Sequence, residues 1–503
     1  MNNDFLPKDL NGVHVHFVGI KGTGMTALVE IFFHNGAIIT GSDVSERFYT
    51  DEILEKLGLK AQEFSSKNIT DDIQYVIYSA AYKLDSNPDL IQATKKGIPC
   101  LLYTQALGQY SERSYSCGIC GVHGKTSTTG LTGTMLKELD LPVQILAGSV
   151  IKSFGDSCTY SNLSEDFQDN RIFVAETCEY KRHFMSFCPQ KIILTSVESD
   201  HQDFFPTYQD IRQAFIDYIC KLPQNGQVIY CCDDEGAVDT VNIAKKQRPD
   251  IEFIPYGTSA NGDYKVVINE VQNEEQLFTI GDFGQMALKV PGHHEVLDAV
   301  AGFALCVELF KSFGKNPREY IAKIAKGINN FAGGKRRSEI IGEFTTKSKN
   351  NVLVIDDYGH HPTAVKTTLE GFRSFYKKRK IIVDFMSHTY SRTQSLLEEF
   401  ASCFGSADVV VLNKIYASAR ENIADFNITG KTLFQKACNY HNNVVYCEEF
   451  DSAINFLKDE LEKTLPAEYS DGYLFVSMGA GDNWKIGKEL ISYFNKLFFW
   501  FRG

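Results

Sequence analysis

The most chemically suggestive stretch of the chain is a glycine-bearing turn that runs into a lysine and three hydroxyl residues: Gly121-Val122-His123-Gly124-Lys125-Thr126-Ser127-Thr128. Backbone N–H groups in such a turn can wrap phosphate oxygens, the Lys125 ammonium can reach a terminal phosphate, and the Thr126 hydroxyl can bind Mg²⁺. The spacing is not that of the common phosphate loop, because Ile119 stands where its first glycine would fall. A second turn, Gly22-Thr23-Gly24-Met25-Thr26-Ala27, fits GxGxxA directly after an apolar run, with Asp43 about twenty residues further on. Taken alone, this turn suits a dinucleotide, a UDP-sugar or a merely structural tight turn. The two turns together are more selective. A nicotinamide-dependent oxidoreductase has no use for a triphosphate cradle, whereas a ligase that consumes ATP on a nucleotide-linked substrate needs both.

Acids gather beyond two apolar runs, in Glu176-Thr177-Cys178-Glu179 and in Glu198-Ser199-Asp200-His201-Gln202-Asp203. Carboxylates beside a phosphate loop suit Mg²⁺, whose hard coordination shell favours oxygen and tolerates histidine less readily. Further on come Asp356-Asp357-Tyr358-Gly359-His360-His361-Pro362 and His388-Thr389-Tyr390-Ser391-Arg392-Thr393. An arginine in such a turn can hold an amino-acid carboxylate while neighbours orient the amine.

These turns need a scaffold that presents them at strand ends. Apolar runs rich in Val, Ile and Phe alternate with amphipathic stretches, the signature of βα units and mainly parallel sheets, so the class is α/β. Strands are predicted at 14–19, 75–79, 172–176, 191–197, 227–231, 352–356, 380–384, 409–412 and 473–477. A chain of 503 residues exceeds one ordinary core. Boundaries near Arg113 and Lys335 give units 1–113, 114–334 and 335–503, the first two with a nucleotide turn each. The net charge of −12 argues against a nucleic-acid footprint. No apolar leader or run of the roughly 20 residues needed for a membrane span is present, so a cytoplasmic protein without an integral membrane segment is expected. The thirteen cysteines are scattered and odd in number, which fits reduced thiols. Cys117 and Cys120, three apart on a strand, should face opposite sides. The aromatic tail 493–501 is expected to pack on the last unit. Sequence leaves the oligomeric state open between a monomer and a weak homo-oligomer.

In combination, GVHGKTSTT and DDYGHHPTA resemble the GTxGKTTTT and DDYxHHPTE motifs of the Mur ligases. GIKGTGM with GSD at 41–43, ETCEY, ESDH, HTYSRT and SMGAGDNWKIG follow in that family's order and look like its L-alanine-adding branch. The resemblance implies three domains: a Rossmann-like UDP-binding domain, a central P-loop ATPase domain with a mainly parallel sheet, and a C-terminal Rossmann-like domain. It implies ATP, Mg²⁺, UDP-N-acetylmuramate and L-alanine as cofactors and substrates. In this scheme Gly121, Val122, His123, Gly124, Lys125, Thr126 and Ser127 cradle ATP, and Lys125 stabilises the transferring phosphoryl group. Thr126 and Glu176 hold one Mg²⁺, and Glu176 with His201 holds a second. Gly19, Gly22, Gly24, Ser42 and Asp43 line the UDP site. Arg337 and Asp357 meet the nucleotide on closure, and Tyr358, His360 and Arg392 lie near the amino acid and acyl phosphate. Three departures stand out. Glu295 and Asp298 replace an asparagine pair expected to contact the nucleotide, Val122 replaces a loop threonine, and Met386-Ser387 replaces Gln-Pro. The remaining alternatives are a recycling ligase that adds a tripeptide or another amino acid to the same sugar nucleotide and, from different classes, a nicotinamide-dependent oxidoreductase or an inactive nucleotide-binding regulator.

Overall fold

The computed structural model describes residues 5–163, 171–417, 421 and 423–500. The first unit carries four parallel strands, β1 (His14–Val18), β2 (Ile38–Ser42), β3 (Tyr75–Tyr78) and β4 (Cys100–Leu102), in the order β2-β1-β3-β4. The second is built on β5 (Tyr115–Cys120), β6 (Val143–Ile151), β7 (Ser157–Asn162), β8 (Ile172–Glu176), β9 (Lys191–Leu194), β10 (Gln227–Cys231) and β11 (Glu252–Tyr256). Their order is β11-β10-β9-β5-β8-β6-β7, parallel except for the β6–β7 hairpin. A small antiparallel sheet of β12 (Val266–Gln272), β13 (Glu275–Ile280) and β14 (Gly284–Leu288) follows.

The third unit holds β15 (Glu339–Thr345), β16 (Asn351–Asp357), β17 (Lys380–Phe385), β18 (Val409–Leu412), β19 (Val444–Tyr446) and β20 (Tyr473–Met478). They lie in the order β15-β16-β20-β17-β18-β19, with only β15 antiparallel to its neighbour. The molecule is therefore α/β throughout, with three mainly parallel sheets.

Strands flanked on both faces read as continuous apolar runs, and β9 and β18 are buried at every residue. On β5 the side chains alternate as the pleat requires. Cys117 joins the core on one side of the sheet and Cys120 the core on the other, and both are free thiols. Helix Lys125–Glu138, which leaves the loop after β5, is buried along 126–136 despite its threonines. Thr129, Thr132 and Thr134 return their hydroxyls to the carbonyls one turn back at 2.7–2.8 Å, so no hydroxyl is desolvated without a partner. Helix His293–Ser312 is apolar nearly all round and packs between that helix and the sheets. At the last helix, Phe494 stacks on Phe344 of β15 at 4.7 Å, so the described start of the aromatic tail packs on the third unit. The side chains of residues 497–501 lie outside the description. Among the described residues no helix is long and apolar enough to cross a membrane.

Candidate active site

Two glycines define the phosphate turn. Gly121, at φ 140°, leaves no room for a side chain, since a Cβ would meet Thr195 Oγ1 at 2.0 Å. Gly124, at φ 79°, caps helix Lys125–Glu138 in the left-handed region that favours glycine. Lys125 folds back over this turn, donating from Nζ to the Gly121 carbonyl at 2.5 Å and the Val122 carbonyl at 3.2 Å, and pairs with Glu179 at 3.0 Å. Burial opposes the ammonium, but the surrounding acidic groups, Glu179 foremost and Glu176 beside it, together outweigh it and hold Lys125 above its ordinary range. Glu179 is 1% exposed. Burial alone would raise its pKa, yet Lys125 and His201 together hold it below the usual carboxylate value.

Thr126 Oγ1 donates to Glu176 Oε2 at 2.8 Å, and the Gly148 N–H donates to the same oxygen at 2.7 Å. Two hard oxygen donors thus converge beside the loop. His201 sits at φ 55° after the β9 end. Its expected metal-holding partner is Glu176, but the carboxylate that its Nε2 meets is Glu179, at 3.4 Å, with Asp200 at 3.7 Å. Glu198 accepts from His123 Nε2 at 2.9 Å and from the Thr363 hydroxyl at 2.8 Å, which ties the phosphate turn to the third unit. His361 brings a further ring nitrogen to this group, and the ligand atoms of His123, Glu198 and His361 lie within 4.8 Å of one another.

A cavity of about 270 Å³ brings most of the predicted residues together. Its wall includes Val122, His123, Gly124, Lys125, Thr126, Ser127 and Glu176 from the turn and its surroundings, with Glu295 and Asp298 from helix His293–Ser312. Arg337, Asp357 and His360 enter from the third unit. Arg337 lies between two residues at positive φ, Arg336 and Ser338, and its guanidinium stands 5.3 Å from the Tyr358 ring centre. Asp357 accepts the Ser338 and Gly359 amides at 2.8 and 2.7 Å, while burial, only partly offset by Arg337, pushes its pKa up. His360 Nδ1 faces the Tyr358 carbonyl at 2.9 Å, which favours the tautomer with Nδ1–H donating and Nε2 bare. Burial, reinforced by the Arg392 charge, drives His360 far below its ordinary range, so the ring is neutral.

Arg392 points into the interface between the second and third units. Its Nη2 and Nε donate to Asp200 Oδ1 at 2.7 and 3.1 Å, with both residues buried. The guanidinium is thereby committed to Asp200 in this arrangement. The wall also contains Asp233, Asp234 and Tyr256, which no motif singles out, and Thr363, the threonine of DDYGHHPTA. Glu179, Glu198 and Asp200 do stand inside quoted motifs, but spacing alone does not assign them a partner.

The glycines of the first turn lie outside this cavity. Gly19, at φ 84°, is packed under Tyr82, and Gly22 caps helix Thr23–His34. Asp43 accepts the Lys21 amide at 2.7 Å and the Tyr82 hydroxyl at 3.1 Å, bracing the turn. Ser42 is fully buried, with its hydroxyl against His16 Nε2 at 3.3 Å. These two side chains shape the turn from behind. Gly24 faces Tyr103, whose hydroxyl would lie 3.1 Å from a Cβ there. Burial, with the charge of Glu176 adding to it, raises the Tyr103 phenol.

A chain with two glycine-bearing turns at strand ends and a third α/β unit packed against the second matches a known family. Residues 14–115 match the Mur ligase family catalytic domain, 119–306 the Mur ligase middle domain, and 336–465 the Mur ligase glutamate ligase domain. The chain belongs to the Mur ligase family. It is 46% identical to a UDP-N-acetylmuramate–L-alanine ligase of Treponema pallidum over 499 residues, covering 99% of this chain and all of that protein. The protein of the same name from Borreliella burgdorferi is 36% identical over 94% of this chain and 97% of its own length. Among solved structures, the UDP-N-acetylmuramate–alanine ligase of Thermotoga maritima superposes with a TM-score of 0.72 at 23% identity, covering 96% of this chain and 99% of that one. A murein peptide ligase from Psychrobacter arcticus gives 0.60 at 20% identity, covering 96% of this chain and 98% of its own. Both likenesses are of fold.

Proposed function

We propose that the protein joins L-alanine to the carboxylate of UDP-N-acetylmuramate, at the cost of ATP, in peptidoglycan synthesis in the cytoplasm. The observation that carries this reading is the single cavity in which Lys125, Thr126 and Glu176 of the second unit face Arg337, Asp357 and His360 of the third. The full-length identity to L-alanine-adding relatives supports the choice of substrates. We take the working units to be 1–113 for the sugar nucleotide, 114–334 for ATP and 335–503 for the amino acid.

A carboxylate is a poor electrophile until one of its oxygens becomes a leaving group. The lactyl carboxylate oxygen attacks the γ-phosphorus of ATP, the bond from that phosphorus to the bridging oxygen breaks, and ADP leaves. The alanine nitrogen then attacks the acyl carbon, loses a proton, and displaces inorganic phosphate. Lys125 and Arg337 offset the charge developing on the phosphoryl oxygens. Thr126 and Glu176 fit Mg²⁺ because their oxygens converge beside the loop, and the ion would neutralise phosphate charge there. His201, placed on Glu179, favours Glu179 as the acid it works with. The bare Nε2 of neutral His360 can accept a hydrogen bond from the incoming amine, whose proton passes to solvent or to phosphate. An acyl phosphate hydrolyses readily, so closure of the third unit over the loop must precede chemistry.

The test is incubation with UDP-N-acetylmuramate, ATP and Mg²⁺ plus L-alanine, glycine, L-serine or the tripeptide, reading phosphate release and product mass. ADP with the L-alanyl product is expected, and a product formed faster from the tripeptide would replace this reading with the recycling one.

A further inference from the structure

Glu295 and Asp298 lie one turn apart at the start of helix His293–Ser312, 3% and 5% exposed, in the wall of the nucleotide cavity. Each receives a hydroxyl from the phosphate-loop helix. Ser127 Oγ donates to Glu295 Oε1 and Thr128 Oγ1 to Asp298 Oδ1, both at 2.8 Å. The other Glu295 oxygen, Oε2, is buried with no hydrogen-bond partner. Among the described residues no Lys or Arg nitrogen lies within 4.0 Å of either carboxyl, and the one basic nitrogen at that range is His294 Nε2, at 3.9 Å from Glu295.

The surroundings do not favour two negative charges. From their own helix the pair faces His294, which burial holds down to about 4 and so leaves neutral. From the third unit come Arg337, which favours ionisation, and Asp357, whose charge disfavours it at Glu295. From β11 comes Tyr256, whose phenol the Asp298 charge helps to raise, with Asp234 acting on the same phenol. Burial pushes both acids above the ordinary carboxylate range, and the Glu295 charge adds to this at Asp298. A bound polyphosphate would add negative charge to the same cavity.

We propose that Glu295 and Asp298 are nucleotide-selecting residues that work as neutral carboxylic acids, with Glu295 Oε2 offering an O–H to a hydrogen-bond acceptor on the bound nucleotide. A neutral acid carries a donor and an acceptor, as an amide does, whereas a carboxylate only accepts. The acids can donate to the nucleotide only while they hold their protons. Nucleotide affinity is then linked to proton uptake, which an amide pair would not produce. This inference rests on the ATP reading above.

The test is calorimetric titration of the full chain with ADP from about pH 6 to about pH 9, beside the double variant Glu295→Gln, Asp298→Asn. The wild type should lose affinity by up to roughly tenfold per pH unit once the acids ionise, while the variant retains only the weak dependence of the nucleotide's own phosphates. Parallel profiles for the two proteins would overturn the proposal. The wild type alone gives a second reading, should the variant not fold. The dependence of the binding enthalpy on buffer should reveal uptake of about one proton at about pH 8, and no uptake would overturn it. A wild type that binds no ADP at any pH would instead overturn the ATP reading itself.

Discussion

Replacing Asp200 with Asn is the sharpest probe of how the third unit closes on the second. Asp200 Oδ1 takes both Nη2 and Nε of Arg392, and the two side chains are only 5% and 7% exposed, so solvent screens the pair little. Removing one partner of a buried pair costs about 3–5 kcal/mol, because the other charge is left unpaired. Asn keeps an acceptor oxygen in place, so the lower end applies: about 3 kcal/mol, or a factor of roughly 100. Arg392 belongs to the third unit and Asp200 to the second, so the loss falls on the closed arrangement. Asp200→Asn should lower kcat/KM for L-alanine roughly 100-fold and broaden the small-angle scattering profile, with the individual units still folded. Burial alone would raise the Asp200 pKa, but the neighbouring groups, the Arg392 charge and hydrogen bonds foremost with His201 beside them, together outweigh it and hold Asp200 far below the carboxylate range. A depressed carboxylate stabilises above its unfolded pKa and loses that contribution only as pH falls through the folded value. The pair should thus hold down to strongly acidic pH, and no activity loss between about pH 5 and 7 should trace to it. A variant within threefold of wild-type kcat/KM, with an unchanged scattering profile, would refute the reasoning.

Lys125→Ala should reduce kcat by roughly 10²–10³-fold or more in the phosphate-release assay, since one preorganised charge at the transferring group is lost. It should also lower the melting temperature, because Glu179 is left buried without its cation. Gly121→Ala must resolve a contact of 2.0 Å with Thr195 Oγ1 at a φ of 140°; a loss of about 1–3 kcal/mol in denaturant unfolding and weakened ATP binding are expected. Phe494→Ala removes the ring stacked on Phe344 and should cost about 3–5 kcal/mol in stability, with the KM for ATP unchanged. His360→Ala should lower kcat without moving the acid limb of the pH–rate profile, because the imidazole is already neutral throughout the working range.

Strands buried on both faces were legible in the sequence because burial on two sides leaves a continuous apolar run. The predicted spans 172–176, 227–231 and 409–412 coincide with β8, β10 and β18. The antiparallel sheet β12–β14 was less visible, since one face is wet and the run is broken. Its signal lies in β13, where Gln276, Phe278 and Ile280 are buried in alternation, and in Asn273 and Glu274, both at positive φ in the hairpin turn. The loop chemistry of Lys125 and Thr126 is local and reads directly from spacing. Partnerships across the fold do not. His201 meets Glu179, the later acid of its motif, because β8 and β9 both flank β5 and the segments beyond them converge there. Arg392 finds Asp200 only when two units meet, and Tyr256 and Asp233 reach the cavity from strand ends that carry no motif.

The same interface explains why a cavity for a hydrolysis-prone intermediate can both shut and open. Among its contacts between the second and third units are polar ones: Arg392 with Asp200, and Thr363 and His361 with Glu198. Polar contacts of this kind tolerate relative motion of domains better than a large apolar face would, because their groups can return to water. The strength of the interface in the shut state depends on excluding that water, since the same charges interact far more strongly at low dielectric. Backbone approach sets how tightly it shuts. Gly371, on helix Pro362–Phe375, lies so near Gly292 at the start of the acid-bearing helix that a Cβ would stand 2.7 Å from its Cα. Glu295 and Asp298 follow directly on that helix, so closure of the third unit and the desolvation that keeps these acids neutral occur at one contact.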